Sequence, residues 1–172
     1  SSGIIKCLDS IFDQKSNCDF LVTVIDDGSS DGTAELVERT FADKVSIIRQ
    51  TNQGRGAARL TGINSATTEF IAMVDSDIHL PINWLTSCLA EIATKDAVGG
   101  IAVPDGDCST IYRIFKIPPR VKPGSINLMG SNSLFRARVL TDLGASWVTR
   151  LGEDFRLQRL LEQKNYRTAS IN

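Results

Sequence analysis

Residues 21–33 read LVTVIDDGSSDGT, and the fold of the chain turns on them. The apolar, β-branched run from Leu21 to Ile25 stops at two adjacent carboxylates, Asp26 and Asp27. A turn rich in Gly and Ser follows, and Thr33, Ala34, Glu35, Leu36 and Val37 then take up helical character, so the order is strand, loop, helix. In an open α/β sheet the carboxyl end of a strand borders a crevice. Asp27 would project into it beside loop amides and a helix N-terminus, which is where such folds bind ligands.

Working outward, Ile4, Ile5, Leu8, Ile11 and Phe12 recur at helical spacing and predict an opening helix that ends near Gln14 or Lys15. Asp31 or Thr33 can cap a helix running to about Phe41. Residues 45–48 read as the next strand. A polar glycine-containing turn, residues 52–56, enters a helix carrying Ala57, Ala58, Leu60, Ile63 and Ala66, whose small residues let it lie close to a sheet. Residues 69–74 form a buried strand, Pro81 opens a helix extending to about Thr94, and residues 97–103 form a short strand. Residues 104–130, punctuated by Pro118-Pro119 and Pro123-Gly124, read as an irregular segment near the acceptor side, with only a short helix around Ile111–Ile117. Residues 131–135 look extended and 138–143 helical. Phe155, Leu157, Leu160 and Leu161 mark a further helix, and residues 166–170 a last strand. Strands alternating with helices predict an α/β fold with a mostly parallel sheet and right-handed crossovers.

The 172 residues read as a single domain with no repeat, linker or second domain. A composition of 42% apolar and 23% charged residues is that of a globular chain, and a net charge of −1 argues against nucleic acid or an anionic membrane as partner. Affinity for a phosphorylated ligand would have to be local. The four cysteines, Cys7, Cys18, Cys88 and Cys108, show no C-x-x-C spacing and read as free thiols of a reducing, cytoplasmic compartment. No run approaches the ~18 apolar residues of a membrane span, and residues 1–6 do not resemble a signal peptide.

Three more motifs follow the loop in order. Asn52-Gln53-Gly54 continues to Ala58, Arg59 and Gly62; Phe70-Ile71-Ala72-Met73-Val74 runs into Asp75-Ser76-Asp77; and Gly152 precedes Glu153-Asp154. Together the four resemble the family 2 glycosyltransferases, inverting enzymes with the GT-A fold that move a sugar from a nucleotide-diphospho-sugar donor to an acceptor hydroxyl. The resemblance covers most of the chain. It also implies a strand before the opening helix, contributing to the nucleotide pocket, that this sequence does not contain. The domain is therefore expected to be incomplete at both ends, with unpaired backbone on the neighbours of the missing strand.

The spacing of two in Asp75-Ser76-Asp77 puts both carboxylates on one side of an extended chain, a donor set for a hard divalent cation such as magnesium or manganese together with phosphates and water. By resemblance, Asp77 is the direct metal ligand, Asp75 faces the ribose or supports the metal, and Asp154 is the general base. Asp27 recognises the nucleobase, while Asp26 orders the loop. Arg59, more than Arg55, pairs with the diphosphate. Gly130, Ser131 and Asn132 line the sugar pocket. His79 is either a third ligand or a polar loop residue. UDP is the default nucleotide over GDP. The acceptor, whether glycan, lipid phosphate or protein, stays open, as does peripheral membrane association at the cytoplasmic face through segments outside this chain.

Two readings from other classes compete. Asp27, Ser29, Asp31, Gly32 and Glu38 fall at positions one, three, five, six and twelve of an EF-hand calcium loop, although the strand-like Val22–Ile25 stands where a helix is needed. A non-catalytic nucleotide-sugar-binding module is the other, encouraged by the absent strand and by the lack of the Q-x-x-R-W-type segment found in processive members.

Overall fold

A computed structural model describes residues 2–100, 132–149 and 152–171. It opens on helix α1 (Ser2–Phe12), followed by strand β1 (Val22–Asp26), helix α2 (Thr33–Phe41), β2 (Val45–Arg49), α3 (Arg55–Ser65), β3 (Phe70–Val74), α4 (Trp84–Ile92) and β4 (Ala97–Gly100). Beyond residue 131 come β5 (Asn132–Arg136), α5 (Ala137–Leu143), α6 (Glu153–Gln163) and β6 (Thr168–Ile171). These match the predicted elements in kind and order. The irregular segment 104–130, its short helix, Gly130, Ser131 and Cys108 lie outside the described residues.

α1 stops earlier than its periodicity implies because Gln14 is spent on tying it to α4. The Gln14 amide donates to the carbonyls of Ser10 and Pro81, at 2.9 and 2.8 Å, and its oxygen accepts from the Leu85 N–H at 2.8 Å.

β1 and β2 pair in parallel from Val22–Val45 to Asp26–Arg49, with α2 as the crossover. The second sheet runs β3-β5-β4-β6. β5 is antiparallel to both β3 and β4, and β6 is parallel to β4, so β5 is the one strand of this sheet that opposes the others. Three of its four strands point the same way, while two of its three neighbouring pairs are antiparallel. Periodicity carries no information about strand direction, and the reversal of β5 belongs to the tertiary structure.

The unpaired edges of β1 and β3 both border a cavity of about 1010 Å³, walled also by Ile4 and Leu8 of α1 and by Gly62 and Ile63 of α3. Two strands with one open edge each are what the absent strand was expected to leave. α1 spans this interruption. Ile4 and Leu8 pack with Val37, Phe41, Val22 and Ile47 on the β1–β2 side, while the Cys7 thiol donates to the Asp75 carbonyl at 3.4 Å on the other. The main core lies against β5, where Phe135, Val139, Leu140, Trp147, Leu157 and Leu161 are all buried. Cys7 and Cys88 are buried free thiols, pushed up to about 11 and about 12 chiefly by desolvation, and Cys18 is an exposed free thiol. Among the described residues no helix is long and apolar enough to cross a membrane.

Candidate active site

The carboxyl ends of β1 and β3 open on the same cavity, and Asp27, Arg59, Asp75 and Asp77 all line it. The structure thus gathers four of the five residues singled out for donor, metal and catalytic roles. The fifth, Asp154, joins them through Arg59.

At the end of β1, Asp26 accepts the Ser29 N–H at 2.9 Å, the loop-ordering part expected of it. Asp27 reaches further. Its Oδ1 accepts from the Gln50 amide at 2.7 Å and the Gln53 N–H at 2.9 Å, and its Oδ2 from the Gly54 N–H at 2.8 Å. Burial alone would raise this carboxyl, but the hydrogen bonds from Gln53, Gln50 and Gly54 outweigh it and hold Asp27 below the usual carboxylate range. The first motif therefore shapes the second. A nucleobase would have to use the lone pairs these bonds leave. Gly28 permits the approach: its φ is +81°, and a Cβ there would stand 3.0 Å from the Asn52 nitrogen.

The same geometry dismisses the calcium-loop reading. Strand β1 precedes the loop where an EF-hand needs a helix, Asp27 is committed to the 50–54 segment, and Glu38 pairs with Arg49 at 2.9 Å.

Asp75, Ser76 and Asp77 leave the carboxyl end of β3. Asp75 and Asp77 both line the cavity, and both lie near Cys7: after burial, the charges of Asp77 and then Asp75 raise its thiol. Two oxygen-donor side chains with the remaining positions filled by phosphate and water are the usual complement for magnesium. Among the described residues no group of three His, Cys, Asp or Glu side chains forms a metal cage. His79, exposed in the loop after β3, is thus not brought into a three-ligand cluster. Asn132 lies beside Val74 in the β3–β5 ladder, next to this loop. It is buried, and its Oδ1 has no hydrogen-bond partner among the described residues.

Arg59 joins the two sides of the site. Its Nη2 donates to Asp75 Oδ1 at 2.8 Å, and its Nη1 to Asp154 Oδ1 at 2.5 Å and Glu153 Oε1 at 3.3 Å. The arginine side chain is only 10% exposed. Burial alone would lower its pKa, but hydrogen bonding and charge from Asp75, then from Asp154, raise it above the ordinary value. Glu153, 1% exposed, also meets Arg55 at 3.0 Å. α3 can lie near enough for these contacts because residue 56 is glycine: a Cβ there would sit 3.2 Å from the Thr149 carbonyl.

Glu153 is the site residue that sequence reasoning passed over. It was noticed only as the neighbour of Asp154, an acid in the first turn of a helix. No local signal in the sequence marks it, because its partners Arg55 and Arg59 lie more than 90 positions away.

The family model described as Glycosyl transferase family 2 matches residues 1–144. The uncharacterized glycosyltransferase YaiP of Escherichia coli K12 is 30% identical over 170 residues, covering 88% of this chain and 42% of YaiP. The putative glycosyltransferase EpsH of Bacillus subtilis is 37% identical over 76 residues, covering 43% of this chain and 22% of EpsH. Among solved structures, S. aureus TarS 1-349 in complex with UDP superposes with a TM-score of 0.68 at 25% identity, over 98% of this chain and 53% of that one. The same protein in complex with UDP-GlcNAc gives 0.69 at 20% identity, over 98% of this chain and 52% of that one. The chain thus spans about half of TarS and less of the curated relatives, and over that span its fold is of the GT-A type. With the family model covering most of its length, residues of three motifs lining one cavity and the fourth motif joined to them through Arg59, the chain belongs to glycosyl transferase family 2.

Proposed function

We propose that this chain carries the donor-binding and catalytic residues of an inverting glycosyltransferase that uses a nucleotide-diphospho-sugar, by default a UDP-sugar. The observation that supports this most is the Arg59 junction. Asp75, at the donor side, and Asp154, 95 positions from Arg59 in sequence, meet on one guanidinium beside the cavity that Asp27 and Asp77 line. The complexes of TarS with UDP and UDP-GlcNAc favour the uridine nucleotide.

In this reading Asp27 and the loop it braces face the nucleobase. Asp77, with Asp75, would hold a magnesium or manganese ion, which when bound neutralises charge on the departing diphosphate. Asp154 accepts the proton of the acceptor hydroxyl as that oxygen attacks the anomeric carbon from the side opposite the diphosphate, through an oxocarbenium-like state, inverting the configuration. Asn132 faces the sugar. The acceptor, a glycan, lipid phosphate or protein hydroxyl, is supplied by a partner, with any membrane contact arising outside this chain.

Isothermal titration with UDP, with and without manganese, tests donor binding, and a donor-hydrolysis assay on wild type and Asp154→Asn tests catalysis. Manganese-dependent UDP binding together with turnover that Asp154→Asn abolishes is the expected result. Binding without turnover would mark a non-catalytic nucleotide-sugar module, and no binding of any nucleotide would overturn the reading.

A further inference from the structure

Arg59 has the residue type of a diphosphate ligand but not its surroundings. Two arginines, Arg55 and Arg59, face three carboxylates, Asp75, Glu153 and Asp154, so the guanidinium of Arg59 has no uncompensated positive charge to offer. Glu153 is the cause. At 1% exposure it is sealed from substrate, and a buried carboxylate persists only where it is paired. Its function must therefore be exerted through the groups it touches, Arg55 and Arg59.

The guanidinium is a rigid planar fork, and its two ends are used differently. Nη2 takes Asp75 from the end of β3, and Nη1 takes Asp154 and Glu153 from the start of α6. We infer that Arg59, braced by Glu153, is a positioning residue that sets the placement of the catalytic base Asp154 relative to the donor-side carboxylate Asp75, and is not a ligand of the diphosphate. This rests on the proposed glycosyl transfer and assigns within it a task to two residues. β3 and α6 come from distant parts of the chain, so their carboxylates need a shared contact to be held in register. A plane anchored on α3 and contacting both supplies it. Orientation of this kind carries a large share of a rate: a misplacement of about 1 Å costs on the order of 100-fold.

The test uses this chain with UDP and uridine as probes in the presence of manganese, and compares wild type with Arg59→Lys, Arg59→Gln and Glu153→Gln. A positioning residue leaves the preference for UDP over uridine within about twofold of wild type in all three variants. It also lowers kcat by roughly 100-fold in both Arg59 variants, because lysine keeps the charge but not the fork. Glu153→Gln, nearly isosteric and free of any substrate contact, lowers kcat about tenfold or more with donor KM within about threefold. A collapse of the UDP preference in Arg59→Gln that Arg59→Lys restores would make Arg59 a diphosphate ligand and overturn the inference. So would wild-type kcat in Glu153→Gln, the variant that carries the test should either Arg59 variant fail to give a cooperative urea transition. Failure of wild type itself to bind UDP or turn over a donor would sink the proposed function and this assignment together, whereas turnover by wild type that Glu153→Gln matches would sink only the assignment.

Discussion

The carboxylates after β1 and those after β3 have the same chemistry and are held in different ways. Asp26 and Asp27 are satisfied by loop N–H groups and one amide side chain, none more than 27 residues away, in a half-open setting. Asp75 and Asp154 share one enclosed guanidinium, with Asp154 95 positions distant from it. The first arrangement shapes a loop and tolerates water as a substitute partner. The second balances charge inside the protein, where a missing partner leaves an ion uncompensated. The difference predicts that the two regions will fail differently when perturbed.

The largest effect should be on chemistry. Asp154→Asn keeps the size of the side chain and removes the proton acceptor, so turnover is expected to fall about 1000-fold, roughly 4 kcal/mol, with UDP affinity unchanged by calorimetry. An equal loss of UDP affinity would place Asp154 on the donor side and erase the distinction between the two regions. Next is stability: Arg59→Leu leaves the buried Glu153 to Arg55 and takes the shared cation from Asp75 and Asp154, and should cost about 3 kcal/mol in urea unfolding. Asp27→Ala removes three hydrogen bonds to a charged acceptor that solvent can partly replace, and should cost about 2 kcal/mol. If the Asp27 variant proves the more damaging, the contrast drawn here is broken.

Acid sharpens the same comparison. The Asp27 carboxyl is held below its usual range in the folded chain. The stability it adds is therefore complete above its unfolded pKa of about 3.9 and is lost as pH falls through the lower folded value. The gap in urea midpoint between wild type and Asp27→Asn should be constant well above the unfolded value of about 3.9 and close as pH falls below it. A gap that widens on acidification would show that the loop bonds do not favour the carboxylate. The smallest effect belongs to the exposed pairs of Arg49 with Glu35 and Glu38, at 2.8 and 2.9 Å. Arg49→Ala should lower the urea midpoint least of these variants, and the difference should shrink further in 1 M salt.

Much of the site was legible because its motifs are local. A β-branched run ending in acids announces the carboxyl end of a strand, which is how Asp27, Asp75 and Asp77, all lining the cavity, stand out in the sequence. The role of Asp26 in ordering its own loop was legible for the same reason, since its partner is three residues on. Asp27 was read only as a ligand contact, because its bonds to residues 50–54 depend on the parallel pairing of β1 with β2. Glu153 was missed because an acid in the first turn of a helix is ordinarily solvated; its burial comes from the seating of α6 against α3, which the residues around it do not reveal.

By itself, the sequence determined the elements, their order and kind, the carboxylates that end the strands and the resemblance of four motifs to one family. Periodicity and turn chemistry act over a few residues, and these features are written at that range. Tertiary structure alone decided the reversal of β5 and the gathering of Asp75, Glu153 and Asp154 on Arg59. Those depend on which edges pair and which charges are shut away from water together, and such partners are chosen by packing across the whole chain.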